Sequence, residues 1–152
     1  MRNSYSRRGF LSSTSAGVSI LTAQQLIAGL APVSDEQLPI SSSVVQLRPE
    51  ISPLVKLIEE TPRQQLLEEI GSRIRKGLSY REVLAALLLA GVRNVEPRPA
   101  VGFKFHAVLV VNSAHLASLA SPDADRWLPI FWALDEFKSS QAKDVKEGNW
   151  TM

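Results

Sequence analysis

The stretch Phe103 to Leu119, FKFHAVLVVNSAHLASL, constrains this chain more than any other, because it is its most apolar long segment after the N-terminus and carries both histidines. Phe103, Phe105 and Ala107 alternate with Lys104 and His106, and the run Val108 to Val111 is rich in β-branched residues, a pattern compatible with a strand over 103–111. Length favours a helix. No Gly or Pro interrupts the chain from Phe103 to Ser121, which is longer than strands run, whereas a helix of about four to five turns can bury an almost wholly apolar surface.

On such a helix His106 shares a face with Val110, Ser113 and Ala117, and His115 shares one with Val108, Val111, Asn112 and Leu119. A step of about 100° per residue sets the two rings on nearly opposite sides, so a single metal held by both is not expected. Each histidine is therefore a separate candidate, either a ligand or proton donor, or a core residue whose ring bonds a neighbour. For His115 an apolar surround is expected to favour the neutral ring, and Asn112, one turn earlier, to fix its tautomer. Asn112 and Ser113 cost helix propensity, so a partner for them is expected, in the plainest case a carbonyl on the next helix.

The chain opens with Ser6-Arg7-Arg8-Gly9-Phe10-Leu11, followed by a modestly apolar run from Ala16 to Ala31 that is diluted by Gly17, Thr22, Gln24 and Gln25. The paired Arg7 and Arg8 with Phe10 and Leu11 resemble a twin-arginine export signal; the basic residue that often follows this motif is Ser12 here. The resemblance covers the leader alone. It implies recognition by the twin-arginine translocase, export of an already folded chain to the periplasm or beyond, and a cofactor more often than for other exported proteins, without naming one. Gly29 and Ala31 have the small size that signal peptidases require, but Pro32 would follow the cut, which leaves an uncleaved anchor open. Val83 to Val92 reaches about half the length needed to span a membrane.

The leader also explains the charge. The chain has 17 Lys plus Arg against 15 Asp plus Glu; Arg2, Arg7 and Arg8 precede every acid, so the rest carries 14 basic and 15 acidic residues. No basic patch calls for nucleic acid. The absence of cysteine removes disulfides, thiolate metal sites and a cysteine nucleophile.

Beyond the leader (1–31), residues 32–50 are Ser-rich and polar and are expected to form a mobile tether. Residues 51–138 are expected to form a helical domain. Ser52-Pro53 and Thr61-Pro62 read as helix starts, and Ser79-Tyr80-Arg81-Glu82 as a full capping box. Gly77 and Gly91 read as helix ends, the latter closing a helix that begins at Tyr80. Arg93 to Gly102 reads as a proline-bearing loop, and Ser121-Pro122-Asp123 opens the helix that carries Trp127, Ile130, Phe131, Leu134 and Phe137. Residues 139–152 read as a polar tail or a truncated continuation, with Trp150 and Met152 uncovered. The expected fold is all-α, about five helices in successive antiparallel pairs, bundle-like or repeat-like, as the N-terminal part of a larger domain.

No phosphate loop, dinucleotide fingerprint, HExxH helix or GxSxG elbow is present. The adjacent acids Glu59-Glu60, Glu68-Glu69 and Asp135-Glu136 read as solvated surface, and Trp127, Phe131 and Trp132 as core. The segment His106-Ala-Val-Leu-Val-Val-Asn-Ser-Ala-His115 is similar to the histidine-bearing helices of large all-helical oxidases of the questin-oxidase-like kind, and a redox enzyme is what that similarity implies. Function therefore divides between an exported, non-catalytic helical scaffold or interaction module and part of a cofactor- or metal-dependent oxidoreductase using His115 and His106, with the cofactor unknown.

Overall fold

In a computed structural model the chain is all-helical, with six helices and no strand among the described residues. These residues are 20–39, 49–96 and 103–152, with the backbone alone for 20–23, 49 and 103–106. The helices are α1 (Ile20–Ala28), α2 (Ser52–Glu60), α3 (Arg63–Arg75), α4 (Tyr80–Asn94), α5 (Phe103–Leu119) and α6 (Trp127–Glu147), with 3-10 turns at Pro49–Ile51 and Asp123–Asp125. None of them is long and apolar enough to cross a membrane. The twin-arginine positions Arg7, Arg8, Phe10 and Leu11 lie outside the described residues.

The central stretch is helical, as its length requires, and α5 packs most extensively on α6, the helix that follows it. α6 also meets α1, α3 and α4, while α4 meets α2 and α5. The core runs along these contacts: Val55 and Ile58 of α2, Leu66 and Ile70 of α3, Val83 and Leu87 of α4, and Ile130, Phe131, Leu134 and Phe137 of α6 are all buried. Burying each such side chain contributes about 1.5–3 kcal/mol, which a chain without disulfides must rely on.

Local signals set some helix ends and tertiary packing sets others. The capping box at the start of α4 is complete: Ser79 Oγ accepts from Glu82 N at 3.3 Å, and Glu82 Oε2 accepts from Ser79 N at 2.9 Å. Gly77 ends the preceding helix at φ 104°, a left-handed conformation that glycine adopts without strain. By contrast α2 and α3 have no side-chain cap, since Ile51 and Pro62 occupy the cap positions in place of Ser52 and Thr61. α4 does not end at Gly91 but continues to Asn94. Gly91 instead marks a close crossing, where a Cβ would stand 2.7 Å from the carbonyl oxygen of Ala107 on α5.

Parts of two stretches expected to be irregular, 32–39 and 139–152, are built into the fold. Within the expected tether, Val33 and Leu38 are buried, and with Ile27 and Leu30 they extend the core toward the N-terminus. Polar composition misled here because few apolar side chains, spaced apart, suffice to dock a short segment. At the other end α6 runs through the expected tail to Glu147, burying Ser140 and Asp144. The Asp144 carboxylate accepts from Glu96 N at 3.0 Å and Trp150 N at 2.8 Å, and Met152 N donates to Arg93 O at 3.0 Å. Trp150 is accordingly half-buried.

Candidate functional site

Tyr80 is the first residue of α4, placed there by the Ser79 cap, and its side chain is fully buried. A buried phenol requires a polar partner, and its oxygen lies 3.0 Å from Nδ1 of His115, with ring centroids 5.9 Å apart. The opposite side of Tyr80 meets Trp127 at 5.4 Å, and Trp127 meets the edge of Phe131 at 6.3 Å. Burial pushes the phenol up from its ordinary pKa, against the opposing influence of the Ser118 hydroxyl and the Arg126 charge. Burial pushes the His115 imidazole down. Both directions favour neutral groups, so the pair is a phenol beside an unprotonated imidazole. His115 is half-buried, and its Nε2 has no hydrogen bond among the described residues.

Ser118, one turn beyond His115, is fully buried and bridges helices: its hydroxyl reaches Ala114 O at 3.0 Å and Arg126 O at 2.8 Å. Arg126 is itself 7% exposed. Its guanidinium donates to Val33 O at 2.6 Å and to Asp35 Oδ1 at 2.6 Å and forms an ion pair with Asp123 Oδ1 at 2.9 Å, while its Nε is buried without a partner. Trp127 Nε1 donates to Ala31 O at 3.1 Å. The start of α6 thus holds residues 31–35 on one side and supports the Tyr80–His115 pair on the other.

Of the two histidines singled out in the sequence, only His115 acquires a described environment, since the side chain of His106 lies outside the described residues. Its partner is Tyr80, not Asn112. Asn112 is exposed, and Ser113 is exposed with its hydroxyl bonded to Leu109 O of its own helix at 3.2 Å, so neither reaches a carbonyl on the next helix. The sequence hint was available in Tyr80: a tyrosine opening a helix otherwise made of Val, Leu and Ala must bury its hydroxyl against something polar. Nothing in the sequence marked Arg126, whose role comes from a distant segment. The acids are also more involved than expected. Asp135 takes a bidentate pair from Arg63, with both bonds at 2.7 Å, and Glu59 accepts from Asn94 at 2.7 Å. Trp132 departs from its expected core position and is 43% exposed.

α5 has a second surface. Ala107, Val110, Val111, Ala114 and Ser118 face inward, all small or β-branched, while Leu109, Leu116 and Leu119 are 54%, 56% and 44% exposed. The outward stripe of Leu109, Asn112, Leu116 and Leu119 follows the alternating three- and four-residue spacing of a helix–helix seam. Among the described residues, α4 and α6 are the helices that pack most on α5.

Among the described residues no group of three His, Cys, Asp or Glu side chains can hold a metal ion. Comparison with known proteins found no matching family, no matching curated protein and no matching solved structure.

Proposed function

We propose that this protein is an exported helical scaffold that assembles with a second copy of itself through the outward face of α5. The observation that carries this reading is the uncharged stripe of Leu109, Asn112, Leu116 and Leu119, in which three leucines stay exposed beside one asparagine. From 107 to 120 α5 and its end carry no acid, lysine or arginine. Two such faces meet without like-charge repulsion, and a single polar seam residue, Asn112, supplies the register that an all-leucine seam lacks.

Export rests on the leader motif. The packing of α1 suits a leader that stays attached, because removing residues through Ala31 would take Ile27 and Leu30 from the core and the acceptor from Trp127. The test of assembly is sedimentation equilibrium on the full chain beside its Leu109→Lys/Leu116→Lys variant. A dimer that the variant converts to a folded monomer supports the reading; a wild-type monomer at every concentration overturns it.

A second reading is favoured by one observation, the Tyr80–His115 hydrogen bond. A neutral imidazole with Nδ1 engaged by a phenol and Nε2 without a hydrogen bond among the described residues has the form of a proton acceptor or a metal ligand. In an oxidoreductase His115 would be that group, with the remaining ligands supplied from outside the described residues. Absorption spectroscopy and elemental analysis of the purified full chain test it: bound metal or a chromophore lost in His115→Ala supports it, and a colourless, metal-free protein overturns it.

A further inference from the structure

The segment 31–38 is held in an unusual way for a stretch of its own chain. Its main-chain carbonyls are taken one after another by side chains of the helical body: Ala31 O by Trp127 Nε1, Val33 O by Arg126, Glu36 O by Arg81 at 2.6 Å and Gln37 O by Arg81 Nε at 3.0 Å. Val33 and Leu38 are buried, whereas Asp35 between them is 84% exposed with its carboxylate on Arg126. One turn, closed by Gln37 N donating to Ser34 O at 3.0 Å, brings the two apolar side chains to the same surface. Main-chain hydrogen bonds that supply affinity, with apolar side chains in fixed places that supply selectivity, are how proteins grip short peptides.

We infer that Arg81, Arg126 and Trp127 form a peptide-recognition groove, that residues 31–38 fill it in cis, and that it accepts a partner's segment of the pattern apolar-x-acid-x-x-apolar. Two features of the groove support this. Trp127, which bonds Ala31 O, also packs on the rings of Tyr80 and Phe131, so the helical body as well as the segment fixes its position. Arg126, 7% exposed, is held in part by Asp123 of its own turn, and the resident segment leaves its Nε buried and unpartnered. The cis segment thus leaves one buried donor of the set unpaired. Two guanidinium groups facing it match a partner that carries a carboxylate between its apolar anchors. This surface is separate from the outward face of α5, and the inference does not rest on self-assembly.

The test uses the full chain with Val33→Asp, which loosens the resident segment, and a synthetic peptide of residues 29–39 added in trans. Helicity is followed by far-ultraviolet circular dichroism and the cover over Trp127 by tryptophan emission. The expected result is a folded variant with red-shifted emission that the peptide returns toward wild type along a saturable curve. A peptide with Val33→Asp and Leu38→Asp should have no effect, nor should the native peptide on a full chain that also carries Arg126→Lys. Failure of the native peptide to move the emission of a folded Val33→Asp chain overturns the inference. So does loss of helicity in both Val33→Asp and the milder Val33→Ala, since the groove would then exist only with its own segment in place.

Discussion

Replacing Gly91 by alanine tests the crossing of α4 and α5 directly. A Cβ there would lie 2.7 Å from Ala107 O and 3.2 Å from Ala107 C, both backbone atoms of α5. No side-chain rotation relieves such a contact, so the helices must separate locally. Over-packing of this kind costs about 1–3 kcal/mol. Alanine in a helix interior returns roughly 0.5–1 kcal/mol over glycine. The net expectation is a loss of about 0.5–2 kcal/mol, and at roughly 2–4 °C per kcal/mol for a chain of this size, a Tm lowered by about 1–8 °C. Gly71 on α3 is the matched control. A Cβ there would meet Arg75 Nη1 at 3.6 Å and Phe131 Cζ at 3.9 Å, ordinary contacts. Gly71→Ala should therefore raise stability by about 0.5–1 kcal/mol. Thermal unfolding of both variants beside wild type decides the matter. A Gly91→Ala protein at or above the wild-type Tm, with Gly71→Ala raised as expected, would refute the close crossing.

Ser79→Ala removes the capping box of α4 and should cost about 1 kcal/mol in urea unfolding, with the midpoint shifted and the slope unchanged. Tyr80→Phe leaves His115 Nδ1 without its bond and should cost about 0.5–1.5 kcal/mol at neutral pH, with a changed His115 titration in its ring-proton NMR signals. Because burial lowers the His115 pKa in the folded chain, the unfolded chain takes up the proton first as pH falls below 6.5. Stability from this group should fall below that pH and level off once the native ring also protonates, and His115→Asn should remove the slope. Lys138 behaves alike at higher pH. Its amine, which donates to Glu59 O at 2.7 Å and Gln141 Oε1 at 2.8 Å, is pushed down by burial to about 8 against the opposing pull of Glu59. Between about 8 and 10.5 the unfolded chain binds more protons, so stability should rise with pH across that window and stay flat below it. Thermal scans from pH 7 to 10.5 on wild type and Lys138→Met should show the slope in the first alone.

Much of the fold was legible in short-range chemistry. The uninterrupted length of Phe103–Leu119 favoured the helix that forms there over a strand, the Ser79 box opens α4 where the spacing places it, and Gly77 ends α3 because its φ of 104° suits glycine. Position-by-position reading failed where a residue's role is set by something far along the chain. Gly91 looked like a cap because caps are what glycine near a helix end usually makes, but it is glycine because Ala107 passes close by. The candidate site divides in the same way. His115 was visible as a lone ring on an apolar helix, whereas its partner Tyr80 lies 35 residues away and was read only as a first-turn residue.

The sequence by itself determined the helical class, the places where most helices begin, and the absence of acid, lysine and arginine from 107 to 120, since each depends on periodicity, capping or composition within one segment. Tertiary structure alone decided which face of α5 is left outside, that Arg126 and Trp127 reach back to residues 31–35, and that the polar stretches at 32–39 and 139–147 belong to the packed fold. Those outcomes depend on which surfaces meet, and a helix as apolar as α5, whose outward side exposes Leu109, Leu116 and Leu119 beside Asn112 and Ser113, carries little local signal of where its neighbours will sit.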